Sequence, residues 1–249
     1  GPSSGGEGQT KAGTADQTPP SWMRRMGERR RADAKRKIEW PPIKRKIDLQ
    51  INRLKDDDLF TVPNFLTSVE AKAFINTAES IGFVHQGSLG PTKGEAYRDN
   101  DRVSVDDPVL AGAIWESGLS KIFSGIKICG KFAVGLNPNI RFYRYQVSQR
   151  FGRHIDESVC LANGSRTHYT LLIYLSGGCG RKAQHADPPL LGGETVFYDF
   201  LRKNSIVAEV APVEGMALVH IHGEKCMLHE ARNVSKGIKY VLRSDVAFA

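Results

Sequence analysis

The sequence contains no run of 18 consecutive apolar residues and no basic start followed by an apolar stretch. The first absence excludes a membrane-spanning helix, and the second a secretory signal peptide, in the chain as it stands. Cysteine is also scarce. Only four occur, Cys129, Cys160, Cys179 and Cys226, and no two have the C-x-x-C spacing of a structural zinc site. A chain of 249 residues with 40% hydrophobic residues needs no disulfide for stability, so the expectation is reduced thiols and a cytoplasmic or nuclear protein. Excess charge is missing from most of the chain as well. The formal net charge is +8, but residues 21–47 alone hold 11 Lys+Arg against three acids, leaving 24 bases and 24 acids elsewhere. The high pI therefore belongs to one segment and says nothing about an active site.

The length suits one core of roughly 190 residues behind a leader. The expected division is a basic leader over 1–57 and a folded domain over 58–249. Residues 1–20 are rich in Gly, Ser, Thr and Pro and predict disorder; their opening Gly-Pro reads as the remnant of a cleaved tag. Residues 21–40 predict one or two turns of basic helix, stopped by Pro41-Pro42. Such a segment suits nucleic acid or an acidic partner, or is simply a solvated tail.

From Leu59 the composition is that of a packed domain. Thr67 or Ser68 with Glu70 signals the start of a helix over about 69–80, and Asp107-Pro108 starts a second over about 108–123. Residues 87–101 read as a loop. The stretches 140–146, 167–175, 207–213, 215–220 and 238–248 read as strands, with GGETVFYD entering another, and residues 176–193 form a long loop that includes His185. About eight strands with Gly and Pro turns predict a mainly β protein with flanking helices, folded as a double-stranded β-helix, the cupin-like jelly roll.

Within RFYRYQVSQRFGRHID, His154 and Asp156 lie two apart on a strand and so share a face. By itself an H-x-D is also what a strand-end histidine paired with an acid looks like. His229 lies 73 residues beyond Asp156, and only the fold can bring it to the pair. Two histidines and a carboxylate leave about three positions of an octahedral iron open, which suits Fe(II) oxygen chemistry. His220 and His222 form a second H-x-H and rival His229 as third ligand. In IKYVLRSDVAF, Lys239, Val241 and Arg243 share a face. Either cation suits the far carboxylate of 2-oxoglutarate, the lysine as a point charge and the arginine as a fork.

The ordered blocks RFYRYQVSQRFGRHID, THYTLLIYLS, GGETVFYD, VAPVEGMALVHIHG, LHEARNV and GIKYVLRSDV resemble the prolyl 4-hydroxylase-like branch of the 2-oxoglutarate/Fe(II) dioxygenases over about residues 58–249. The resemblance implies Fe(II) held by His154, Asp156 and His229, with 2-oxoglutarate as cosubstrate and ascorbate as accessory reductant. It favours Lys239 over Arg243, through the ten-residue spacing from the distal histidine, and places Tyr145 on the cosubstrate. Tyr143 and Thr195 are further cosubstrate candidates. Arg98, Asn100, Arg102 and Arg141 are candidates for substrate contact. The implied substrate is a protein or peptide, with proline the leading residue. Along the last strand, Arg243 is expected to sit farther from the metal than Lys239.

Overall fold

The structure, a computed structural model, describes residues 18–35, 37–88, 95–178 and 189–249. Most of the stretch expected to be disordered, and the part of the long loop with Cys179 and His185, lie outside these residues. Residues up to Glu39 form one unit, and Trp40–Ala249 a second. In the first, helix α1 (Ser21–Lys35) is longer than the one or two turns expected. Pro20 precedes it and its carbonyl accepts from the amides of Met23 and Arg24.

The folded unit begins at Trp40, not near residue 58. Trp40 stacks on Phe142 at 5.4 Å and donates from Nε1 to Asp107 at 2.8 Å. Ile43, Leu49 and Ile51 also pack on the core. The sequence hides this because these apolar residues are interleaved with the lysines and arginines of the basic run. Strand β1 (Asn52–Lys55) then pairs with β2 (Leu59–Val62).

Helix α2 (Ser68–Ile81) starts with the predicted reciprocal cap. Thr67 Oγ1 accepts from the Glu70 amide at 3.1 Å, and Glu70 accepts from the Thr67 amide at 2.8 Å. Glu70 also accepts from the Lys44 amide at 2.6 Å and pairs with the Lys46 ammonium. The helix cap thus clamps residues 40–57 to the domain. Ala71, Phe74 and Ala78 form its buried stripe. Helix α3 (Pro108–Ile114), capped by Asp107, continues through a π-helical turn at Trp115–Leu119.

The remaining strands are β3 (Val84–Ser88), β4 (Arg98–Asp106), β5 (Lys127–Ile128), β6 (Lys131–Leu136), β7 (Asn139–Tyr145), β8 (Arg150–His154) and β9 (Arg166–Tyr174). They continue with β10 (Leu191–Gly192), β11 (Thr195–Asp199), β12 (Ser205–Val210), β13 (Ala217–Ile221), β14 (Leu228–Ala231), β15 (Val234–Lys236) and β16 (Lys239–Phe248). The order β13-β9-β16-β7 makes one face of a barrel and β8-β14-β11-β12 the other, with β4 paired to both β7 and β8. This is the expected double-stranded β-helix. One expectation fails at its ends: of the predicted loop at 87–101, residues 87–88 belong to β3 and 98–101 to β4, which pair antiparallel.

The period of two along β16 decides what faces where. Tyr240, Leu242 and Val246 pack with Phe74 and Ile173 against the helices, while Val241 joins Tyr174, Phe197 and Leu218 inside the barrel. Lys239 and Arg243 share the inward side with Val241 and line the same internal cavity. No helix among the described residues is long and apolar enough to cross a membrane.

Candidate metal and cosubstrate site

Antiparallel pairing of β14 with β8 places His229 directly opposite His154, and this closes the 73-residue gap. Asp156 follows β8 and is 6% exposed. Its Oδ1 lies 3.4 Å from His154 Nε2 and its Oδ2 3.5 Å from His229 Nε2. The carbonyls of Gly152 and Met227 accept from Nδ1 of His154 and His229 at 2.7 and 2.8 Å. A carbonyl accepts only, so each Nδ1 carries a proton and each Nε2 faces the centre, the nitrogen left to coordinate in a metal-binding histidine.

Burial pushes the Asp156 carboxyl up, but the Arg243 guanidinium and the two imidazoles outweigh it and hold the group well below the usual carboxylate range. Thr170 donates to Asp156 Oδ2 at 2.8 Å. His222, the second histidine of the H-x-H, bonds Thr170 and Thr167 at 2.9 Å each. It therefore supports the carboxylate through Thr170 and is not a ligand. Burial lowers His154. It acts the same way on His229, where Asp156 and Cys226 prevail and raise the group. Two imidazole nitrogens turned inward and an ionised carboxylate, with their donor atoms within 4.8 Å of one another, fit a divalent first-row cation such as Fe(II), which would take the place of the proton between His229 and Asp156.

The same cavity is lined by Lys239, Tyr145, Tyr143, Thr195 and Arg243. Lys239 is 2% exposed, and its Nζ donates to the Gly193 carbonyl at 2.7 Å over the Tyr145 ring. It has no carboxylate within ion-pair distance among the described residues. Burial pulls its ammonium down to about 7, against the opposing pull of Glu194. Gly193, at φ +73°, leaves the space: a Cβ there would come within 2.9 Å of the lysine Cδ. Thr195 shares a 2.6 Å hydrogen bond with Tyr174. An unpaired buried cation beside phenol and threonine hydroxyls fits a ligand carboxylate.

Arg243 is not where the sequence reading put it. Its Nη2 lies 3.4 Å from Asp156 Oδ2 and 3.5 Å from Asp245 Oδ1, so it is the cation at the metal centre and Lys239 is the distant one. Strand β14 leads away from the centre and β16 returns, so later residues on β16 come closer to it. The four substrate candidates also divide. Arg98 and Asn100 line the cavity; Asn100 donates to the Tyr145 hydroxyl at 3.2 Å, and Arg98 lies over Phe151 at 4.1 Å. Arg102 and Arg141 are outside it. Arg102 reaches Ser104, and Arg141 binds Asp245 at 2.6 Å because β7 and β16 pair residue 141 with 243.

Sequence reasoning missed Thr170 at the site and set His220 aside, although the H-x-H spacing had marked it; Phe197, expected from GGETVFYD to point inward with Thr195, does so against His229. His220 is fully buried, with Nε2 3.6 Å from Asp156 Oδ2. Cys226 groups with His220 and His229, and not with His154 and Asp156. Together with Cys129 and Cys160 it is a free thiol.

No protein-family model matches the sequence, and no curated protein does. Solved structures do. A viral collagen prolyl hydroxylase from Paramecium bursaria Chlorella virus-1, solved as a 2OG complex, is 16% identical with a TM-score of 0.53, over 77% of this chain and 96% of its own. A prolyl-4-hydroxylase of Pseudomonas putida is 16% identical at 0.52, over 76% and 92%. A prolyl hydroxylase of Trichoplax adhaerens, in complex with a hypoxia inducible factor oxygen degradation domain peptide fragment, is 14% identical at 0.53, over 93% and 95%. The chain thus has the double-stranded β-helix fold of these prolyl hydroxylases.

Proposed function

We propose that this protein is a 2-oxoglutarate- and Fe(II)-dependent dioxygenase that hydroxylates a peptidyl residue, with proline the leading candidate. The observation that carries the reading is the pairing, in one cavity, of a two-histidine, one-carboxylate donor set with a buried lysine that has no ion-paired carboxylate among the described residues. Neither half is needed by a barrel that only binds a partner. His154, Asp156 and His229 would hold the metal. Bound Fe(II) with 2-oxoglutarate supplies the oxidising power: the cosubstrate is decarboxylated to succinate and carbon dioxide, and one oxygen atom of dioxygen enters a substrate C–H bond.

The chain's own residues bind, orient and exclude water. Lys239, with Tyr145 and Thr195, receives the far carboxylate of the cosubstrate. Tyr143 closes the side of the cavity. Thr170 and Arg243 fix Asp156 from behind, which keeps one carboxylate oxygen aimed at the metal. Phe197 packs against His229 at 5.4 Å and keeps bulk water from that ligand.

A peptide substrate is supported by the open groove that leads to His154 and Asp156 between β3, β4 and β8. Tyr97, Arg150, Phe151 and Ile155 line it. A free amino acid needs a closed pocket instead. Ascorbate as reductant belongs to the same proposal. So does an acidic partner or nucleic acid at the basic segment, which rests on charge alone.

The test is succinate release and a mass gain of one oxygen on proline-containing peptides, with Fe(II) and 2-oxoglutarate supplied. Uncoupled 2-oxoglutarate turnover with no peptide oxidised across a proline-centred library would remove the peptidyl substrate. Failure to bind either metal or 2-oxoglutarate would remove the enzyme class.

A further inference from the structure

We infer that the groove recognises an acidic side chain of the peptide substrate through Arg150 and Arg98, about three to four residues from the residue that is oxidised. The inference rests on the peptidyl reading above and deepens it. Both arginines line the groove that leads to His154 and Asp156. Arg150 lies on β8 and Arg98 on β4, the strand paired with it; Arg98 stands opposite Phe151, and Asp99 opposite Arg150.

Neither guanidinium has a carboxylate within ion-pair distance among the described residues. Arg153, on the same strand as Arg150, pairs with Glu230 at 3.1 Å, and Arg144 with Glu79 at 2.9 Å. Aromatic rings hold the two unpaired groups instead. Arg150 lies over the Tyr97 ring at 4.2 Å and Arg98 over the Phe151 ring at 4.1 Å, and Arg98 Nη1 donates to Gln86 Oε1 at 3.3 Å. Gly152 lets the Tyr97 segment lie close on β8: its amide donates to the Tyr97 carbonyl at 2.7 Å, and a Cβ there would stand 3.3 Å from the Tyr97 Cβ. A guanidinium carries its donors in its own plane, so a ring against one face leaves the N–H edge open to a carboxylate. Two such forks, already ordered and not neutralised, suit an acidic side chain.

The strand sets the spacing. Along β8 (Arg150–His154) the first residue is about 13 Å from the last, and Phe151, which Arg98 faces, is about 10 Å from it. An extended peptide rises by the same amount per residue. With its target at the metal, the residue about three or four positions away therefore comes level with the two arginines. The groove also holds two acids, Glu95 and Glu157. The β4–β8 register carries Glu95 towards His154, and Glu157 follows Asp156, so both belong to the metal end. They repel a nucleic-acid strand, which bears a phosphate at every residue, and tolerate a peptide whose acid lies only at the arginine end.

The experiment is oxidation of a peptide scan by the full chain, with Fe(II) and 2-oxoglutarate supplied. Each peptide carries one proline and one aspartate, moved residue by residue away from the proline on either side in an otherwise uncharged background; control sets carry alanine or lysine in its place. On one side of the proline, aspartate at about three or four residues is expected to raise kcat/KM about fivefold or more over alanine, through KM, and lysine there to lower it. Arg150→Glu should reverse the order, so that the lysine peptide becomes the better substrate, a change of sign that partial loss of fold does not imitate. Oxidation that ignores charge at every position, or favours aspartate only at some other distance, overturns the inference and leaves the peptidyl reading standing. The wild-type scan decides that point even if the variants fail to fold. An aspartate preference that survives unaltered in both Arg150→Glu and Arg98→Gln overturns it too. Oxidation of no peptide while 2-oxoglutarate is consumed, or of a single-stranded oligonucleotide in the peptides' place, overturns the inference together with the peptidyl reading.

Discussion

Replacing Lys239 by methionine should have two effects of opposite sign. Methionine preserves the length and bulk of the side chain but removes the charge. In the cosubstrate complex this leaves a carboxylate buried opposite an apolar group, which costs about 2–5 kcal/mol. The 2-oxoglutarate dissociation constant should therefore rise about 30-fold or more. Without cosubstrate the change should stabilise the fold. Holding the ammonium at about 7 instead of its ordinary 10.5 costs roughly 4 kcal/mol at neutral pH. Loss of the hydrogen bond to Gly193 O returns about 1–3 kcal/mol of that. A net gain of about 1–3 kcal/mol should raise the melting temperature by a few degrees. The folded-state value is depressed, so the gain is full below about pH 7 and fades as pH rises towards the unfolded value. Calorimetric titration with 2-oxoglutarate, metal saturating, and thermal melts at several pH values measure both effects. A dissociation constant within threefold of wild type would refute Lys239 as the cosubstrate's partner. A lowered melting temperature would refute the picture of an unpaired buried cation.

The same lysine predicts a pH dependence. Only the ammonium binds a carboxylate, so 2-oxoglutarate affinity should be highest below about pH 7 and fall above it, approaching tenfold per pH unit; Lys239→Met should flatten the profile, and a parallel slope in both proteins would reject the assignment. Asp156→Ala should abolish the rise in melting temperature that manganese(II) gives the wild type, since it removes the one carboxylate of the donor set; an undiminished manganese shift would move the metal elsewhere. Truncation to begin at Trp40 should leave the melting temperature of the folded unit unchanged, while truncation to begin at residue 48 should lower it. The longer deletion removes Trp40 from Phe142 and takes away the Lys44 amide and Lys46 ammonium that bind Glu70. Equal melting temperatures would show that residues 40–47 contribute nothing. Glu70→Ala should cost about 3–5 kcal/mol in chemical denaturation, because it strands the Lys46 ammonium and opens the α2 cap together.

The sequence by itself determined the features that repeat over short distances. The period of two placed His154 with Asp156, and Lys239 with Arg243, on common faces. The signal of Thr67 or Ser68 with Glu70 placed the start of α2 to within a residue, and the count of short strands with Gly and Pro turns was enough for a jelly roll. Ordered motif blocks pointed to the same fold. Tertiary structure alone decided the rest, because cross-strand register is not written in any local pattern. The pairing of β14 with β8 makes His229 a neighbour of His154. The return of β16 towards the centre puts Arg243, fourteen residues after His229, on Asp156 while Lys239, ten after it, is remote. Sequence distance and spatial distance run in opposite directions there, since the chain reverses between β14 and β16. Trp40 and Ile43 were masked by the charge around them, and burial depends on which surface a residue meets. His220 and His222 read alike as one H-x-H. Only the threonines beside one and the carboxylate before the other separate a histidine that supports Asp156 through Thr170 from one that faces Asp156 itself.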